Sequence, residues 1–185
     1  MKEFFNFIEG FKRTDQSMDK PHCLLVYALA VSNKPWKLLE IGIGAGYVTE
    51  ALYQAIKYNG IGDLITIDNF HDWKGCEPSF LPHIKQISMF TKSNEQEFVK
   101  TATKNYYDFI VLDADHNHSH EWAEQVYDLG EPSSTFIIHD INYAPNLRRY
   151  LDIAKERGYS HFIFDKSSRK DEGCEVGLLI VRKDK

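Results

Sequence analysis

The sequence has few cysteines, no basic stretch and no long apolar run, and each shortage removes a class of protein. Cys23, Cys76 and Cys174 are three in number, far apart and without a C-x-x-C pair. Neither a disulfide framework nor a zinc ribbon is indicated, and a reducing, cytoplasmic setting is expected. The longest apolar run near the N-terminus, residues 23–31, is too short to span a bilayer and lacks secretory flanks, so no membrane partner is expected. A net charge of -5 leaves no basic footprint for a phosphate backbone, which argues against an extended nucleic-acid surface. Internal repeats and low-complexity segments are also missing.

What is present is ordinary globular material with extra aromatics: 43% hydrophobic, 26% charged and 14% aromatic residues in a chain of 185. That length supports one sizeable core and is short for two. A single domain over residues 1–185 is expected, with 1–35 as an N-terminal helical cover and 36–185 as the core. Phe4, Phe5, Phe7, Ile8 and Phe11 could cover a pocket or belong to a terminal helix packed on the core. Asp19 and Pro21 then open a helix through Val31, with Leu24, Leu25, Ala28 and Leu29 on one side and Pro35 beyond its end.

The rest is organised around residues 37–52, KLLEIGIGAGYVTEAL. Leu38, Leu39 and Ile41 predict a buried strand, Gly42, Gly44 and Gly46 a tight turn, and Val48, Leu52, Ala55 and Ile56 one face of a helix. Such a turn brings bare backbone and the first amides of a helix up to a ligand. A dinucleotide-binding turn requires G-x-G-x-x-G, but Tyr47 stands three residues after Gly44. An NAD-dependent oxidoreductase therefore fails on glycine spacing.

Downstream, strands are predicted at Leu64–Ile67, Ile87–Phe90, Tyr107–Leu112 and Thr135–Ile138, each followed by a helical pattern or loop. Ser93 and Gln96 form a capping box for a helix through Thr103; further helices are expected from Ser119 to Leu129 and from Pro145 to Arg157. Strands at Phe162–Phe164 and Val176–Val181, joined by the polar residues 166–173, allow an antiparallel pair. This alternation predicts an α/β fold, a mostly parallel sheet with helices on both faces. Asp68 at the end of the second strand, with Asn69 beside it, stands where ribose hydroxyls are gripped in nucleotide-binding α/β folds. Phe70, Trp73 and Phe80 could wall an adenine ring or simply pack the loop. Asp113 and Asp140 end the fourth and fifth strands, so both carboxylates are expected at the ligand-binding edge.

The pattern E-x-G-x-G-x-G at Glu40–Gly46 resembles the first motif of class I S-adenosylmethionine (SAM) dependent methyltransferases. The segment DFIVLDADHNHSHEW followed by FIIHD resembles the small-molecule O-methyltransferases of the catechol, caffeoyl-CoA and macrocin type. The resemblance covers nearly the whole chain. It implies a Rossmann-like, seven-stranded sheet of order 3-2-1-4-5-7-6 with the last strand antiparallel. It also implies SAM at Glu40, Gly42, Gly44, Gly46, Asp68, Asn69 and Asp113, with the acid at the Glu40 position helping to hold the methionine end. Finally, it implies a divalent metal, Mg²⁺, on Asp113 and Asp140, and His116 with Asp113 in catalysis, His116 as base. The partner would be a small-molecule hydroxyl acceptor.

This chain departs from the catechol type in having Ile141 directly after the second acid, with Asn142 one place later, which leaves the third metal ligand open. It also lacks a long lid insertion, so the pocket is either open or completed by a partner chain in a homo-oligomer. His116, His118 and His120 could together suggest zinc, but at a loop-to-helix junction their side chains diverge, and His118 and His120 read better as solvated loop residues. The alternative to transfer is a regulatory or degenerate SAM-binding protein whose metal edge is incomplete.

Overall fold

The computed structural model describes residues 18–68, 89–92, 95–164 and 176–184, together with residues 6, 9 and 10. Seven strands form one sheet: β1 (Lys37–Ile41), β2 (Asp63–Asp68), β3 (Met89–Lys92), β4 (Tyr107–Leu112), β5 (Gly130–Ile138), β6 (Ser160–Phe164) and β7 (Leu178–Arg182). Their order is β3-β2-β1-β4-β5-β7-β6. β3, β2, β1, β4 and β5 pair in parallel, while β7 runs antiparallel to both β5 and β6. This is the class I methyltransferase fold.

The helices are α1 (Lys20–Asn33), α2 (Tyr47–Asn59), α3 (Glu95–Thr101), α4 (Ala123–Leu129) and α5 (Arg148–Glu156). The last two are each entered through a 3₁₀ turn, Ser119–Trp122 and Pro145–Leu147 respectively. Side chains alternate across a strand, so the buried strands split their apolar residues between two cores. Leu39, Ile41, Ile110, Leu112, Phe136 and Ile138 meet Trp122, Val126, Tyr127 and Tyr150 on one face. Leu38, Leu64, Phe109, Val111 and Ile137 meet Val26, Ala30, Val48 and Leu52 of α1 and α2 on the other. Each fully buried aliphatic side chain contributes about 1.5–3 kcal/mol relative to exposure. The buried tyrosines are also satisfied, Tyr127 Oη donating to the Tyr150 carbonyl and Tyr150 Oη to that of Ser119, both at 2.9 Å.

Several local expectations need correction. The inner face of α1 is His22, Cys23, Val26, Tyr27 and Ala30, whereas Leu24, Leu25 and Leu29 are half-buried and Ala28 is exposed. Apolar residues surround this helix, so its pattern alone does not choose a face; the sheet it covers does. Asp19 precedes α1 without a side-chain capping bond. β5 begins at Gly130, in the stretch expected to end a helix, because Tyr107 pairs with Gly130 across an irregularity in the β4–β5 ladder. β3 lies at Met89–Lys92, later than expected, and α3 starts at Glu95. The Ser93 cap, the phenylalanine cluster before residue 12, the aromatic loop residues Phe70, Trp73 and Phe80, and the polar loop 166–173 lie outside the described residues.

Register carries the architecture to the site. Ile41 pairs with Ile67 and with Leu112, and Leu112 pairs with Ile138. The next residue on each strand is therefore Asp68, Gly42, Asp113 or His139, four neighbours along the carboxyl edge of the sheet. Each of three of them extends the ladder by one bond: Gly42 N to Ile67 O at 2.8 Å, Asp113 N to Ile41 O at 2.9 Å and His139 N to Leu112 O at 3.0 Å. Between β1 and β4 the strand order reverses, the place where open α/β sheets bind ligands.

Candidate active site

The glycine turn occupies one half of this edge. Gly42, Gly44 and Gly46 have φ of 87°, 50° and 79°, the left-handed region that side chains avoid. At Gly42 the need is also steric, since a Cβ there would lie 2.2 Å from the Asp113 carbonyl oxygen. The bare face of Gly42 thus serves the β1–β4 seam. Asp68 Oδ2 accepts from the amides of Ile43 at 2.7 Å and Gly44 at 3.3 Å, so its carboxylate holds the turn. Gly46 leads into α2 with no side-chain cap, which leaves the helix entrance to its backbone amides. Asn69 lies outside the described residues.

Glu40 lies beneath the turn and is fully buried on the α1–α2 side. Its Oε2 accepts from Thr66 Oγ1 at 2.5 Å and Thr49 Oγ1 at 2.7 Å, tying β1 to β2 and α2. Oε1 has no hydrogen-bond partner among the described residues. Burial pushes the Glu40 carboxyl up to about 8 against the opposing pull of the two threonine hydroxyls.

The acids occupy the other half. Asp113 Oδ1 lies 3.0 Å from His139 Nδ1 and 3.8 Å from His116 Nε2. Asp140 Oδ2 is 2.9 Å from His116 Nε2, an ion-pair contact, and Oδ1 is 3.4 Å from His139 Nδ1. Asp140 takes φ of 57°, which aspartate tolerates, and its carbonyl accepts from Tyr143 and Ala144 in the following turn, both at 3.0 Å. Burial opposes charge on these carboxyls, but His139 and His116 overcome it, holding Asp113 down at about 2 and Asp140 lower still. In return, Asp113 and Asp140 raise His116 to about 9. Burial works against charge on His139 too, yet Asp113 and Asp140 carry it to about 10. In this state His116 keeps its proton at neutral pH, the opposite of the base that the resemblance implies.

Sequence reasoning missed His139 and His22. His139 is buried, and its Nε2 lies 3.0 Å from Nδ1 of His22, a fully buried residue on α1. The signal for His139 was its place between Ile138 and Asp140; for His22 no pairing signal existed, because only the fold brings α1 over β5. The ligand atoms of Asp113, His139 and Asp140 all lie within 4.8 Å of one another. His118 is exposed and pairs with Glu121 at 3.3 Å, away from this group, as expected of a loop histidine. Ile141 is buried in the core, and Asn142 packs its amide against the backbone of Gly177.

Residues 39–141, more than half of the chain and spanning the turn and both acids, match the family described as a methyltransferase domain. The chain belongs to this methyltransferase family. Solved structures of similar fold include the O-methyltransferase TomG from Streptomyces achromogenes, involved in tomaymycin synthesis and bound to SAM. It is 16% identical, with 100% of this chain and 89% of that one covered and a TM-score of 0.72. An O-methyltransferase from Bacillus cereus in complex with SAH is 16% identical over 98% of this methyltransferase and 90% of its own chain, with a TM-score of 0.74. A SAM-dependent O-methyltransferase from Thermotoga maritima is 11% identical over 98% and 71%, with a TM-score of 0.72. No curated protein matches by sequence. Among the described residues, no helix is long and apolar enough to cross a membrane.

Proposed function

We propose that this methyltransferase uses SAM to methylate a hydroxyl group of a small molecule, assisted by a divalent cation at Asp113 and Asp140. One observation carries the reading: β1, β2, β4 and β5 end in register, which sets the glycine turn and Asp68 beside two acids at the switch point. SAM supplies an activated methyl group, and a cation lowers the pKa of an acceptor hydroxyl. The chain supplies placement and proton control.

For the cofactor, the turn held by Asp68 and the uncapped entrance to α2 offer backbone amides and bare backbone. Asp68 and Asn69 are assigned to the ribose and Glu40, with Gly42, Gly44 and Gly46, to support of the cofactor-binding turn. For the cation, the donor set fits: Asp140 is 5% exposed, and its Oδ1 has no hydrogen-bond donor among the described residues. The His139 imidazolium, 3.4 Å from this oxygen, balances it in the structure, and a divalent cation would take over that place. His116, with 38% of its side chain exposed, is the imidazole at this edge that an acceptor can reach. Its Nε2 is buried against Asp113 and Asp140, so the ring takes the acceptor proton only once charge at the two acids is engaged elsewhere and that nitrogen is released.

The second reading, SAM binding without transfer, has its own support: His116 and His139 already balance the charge of Asp113 and Asp140. Calorimetry with SAH and a labelled-methyl assay on phenols, catechols and sugar hydroxyls, with and without Mg²⁺ or Mn²⁺, separates the two. Cation-dependent transfer supports the enzyme, SAH binding with no transfer to any hydroxyl supports the second reading, and no SAH binding defeats both. In the active case His116→Gln should cut turnover by about 10²–10⁴-fold with SAH affinity unchanged. Full activity in that variant would assign the proton to another group.

A further inference from the structure

His139 belongs to neither half of the acid pair that the methyltransferase resemblance implies, yet it is the fully buried one of two imidazoles, His116 and His139, that reach both carboxylates. Its Nδ1 lies 3.0 Å from Asp113 Oδ1 and 3.4 Å from Asp140 Oδ1. We propose that His139 Nδ1 is a ligand of the metal centre, positioned from behind by His22 of α1, and that this nitrogen makes the centre prefer a first-row transition-metal ion, Zn²⁺ or Co²⁺ most strongly and Mn²⁺ less so, over Mg²⁺. The proposal rests on the metal-assisted reading above and adds to it the third ligand and the class of ion.

Three observations support it. The donor atoms of Asp113, His139 and Asp140 converge within 4.8 Å, and Asp140 Oδ1, buried in that cluster, has no hydrogen bond among the described residues. The far nitrogen of His139 is occupied: Nε2 lies 3.0 Å from His22 Nδ1. A cation that displaced the Nδ1 proton now facing Asp113, with Nε2 donating to His22, would meet an Nδ1 lone pair aimed between the carboxylates, the arrangement in which metal-binding histidines are oriented by an outer hydrogen bond. His22 is itself fixed by packing, edge-on to His139 at 5.1 Å and to Phe164 at 5.7 Å between ring centroids. Directly after the second acid stands Ile141, buried in the core, and Asn142, one place later, has its amide nitrogen close to Gly177.

Ligand chemistry then decides the ion. Mg²⁺ demands hard oxygen ligands and retains its waters, whereas imidazole suits the later divalent ions. His22 thus acts through His139 and touches neither cation nor acceptor. Its place on the helix preceding β1 links the N-terminal cover to the chemistry of the sheet edge.

The test is Mn²⁺ titration of the full chain, followed by electron paramagnetic resonance, with Mg²⁺ and Zn²⁺ as competitors. Pulsed measurements should show nitrogen modulation on bound Mn²⁺ in the parent and in His116→Gln, and lose it in His139→Asn. Mg²⁺ should displace Mn²⁺ poorly from the parent, and His139→Asn should shift the preference toward Mg²⁺ by on the order of tenfold. His22→Leu should weaken Mn²⁺ binding about 10–100-fold, and His22→Asn, whose amide can occupy the Nδ1 position, should recover it. Mn²⁺ bound without nitrogen modulation would overturn the proposal and leave an all-oxygen metal site standing. Modulation lost in His116→Gln but kept in His139→Asn would transfer the ligand to His116 and overturn it as well. If no cation binds the parent while SAH does, the metal-assisted reading itself fails.

Discussion

Glu40 is a fully buried carboxylic acid, held by Thr49 and Thr66 on one oxygen and by nothing described on the other. Burial lifts its pKa from an ordinary 4.5 to about 8, so the folded chain keeps this proton over a range in which the unfolded chain has lost it. The associated stabilisation is full below pH 4.5 and is lost as pH rises through about 8. Glu40→Gln removes the titration and keeps both an acceptor and the shape. Urea unfolding of parent and variant across that range should show the difference moving in the variant's favour as pH rises, then levelling. A difference independent of pH would mean that Glu40 is ionised in the fold. The motif made Glu40 visible in the sequence; its isolation from solvent was not visible, because Thr49 and Thr66 come from two other elements.

At the scale of elements, the decisive seam joins the end of β1 to the end of β4. The Gly42 amide bonds β2, and its missing Cβ leaves room for the Asp113 carbonyl, so the turn and the acids share one backbone junction. Gly42→Ala places a methyl 2.2 Å from that carbonyl at φ of 87°, and both clash and strain act together. Left-handed strain alone costs about 1–3 kcal/mol, so the variant should unfold at clearly lower urea. Relief of the clash must push Asp113 away, which should also weaken SAH and Mn²⁺ binding together, as calorimetry of both ligands can check. Unchanged stability would show that the junction is slack. Helices were legible where they are two-faced, as in α5, where Tyr150, Leu151 and Ala154 point inward as expected. α1 was legible as a helix but not in orientation, since the choice of His22 and Cys23 over Leu24 and Leu25 belongs to the surface it covers.

For the whole molecule, the succession of strands and helices could be read from apolar runs and turn residues, and the strand-end acids with them. Strand order could not, because pairing between β1 and β4 or β5 and β7 leaves no local mark; it came from the resemblance and agrees with the observed sheet. That order separates the site into a turn half on β1 and β2 and an acid half on β4 and β5, and the division can be measured through ligand-linked stability. A ligand that binds only the folded chain adds about 2.7 kcal/mol at 100 times its Kd. Asp140→Asn is the informative variant: asparagine tolerates the φ of 57° at this position, so the backbone turn survives while one acid charge is lost. SAH should stabilise parent and variant by equal amounts in thermal unfolding, whereas Mn²⁺ should stabilise the parent alone. Loss of the SAH effect in Asp140→Asn would mean that the halves do not act separately, and an intact Mn²⁺ effect would remove Asp140 from the metal centre.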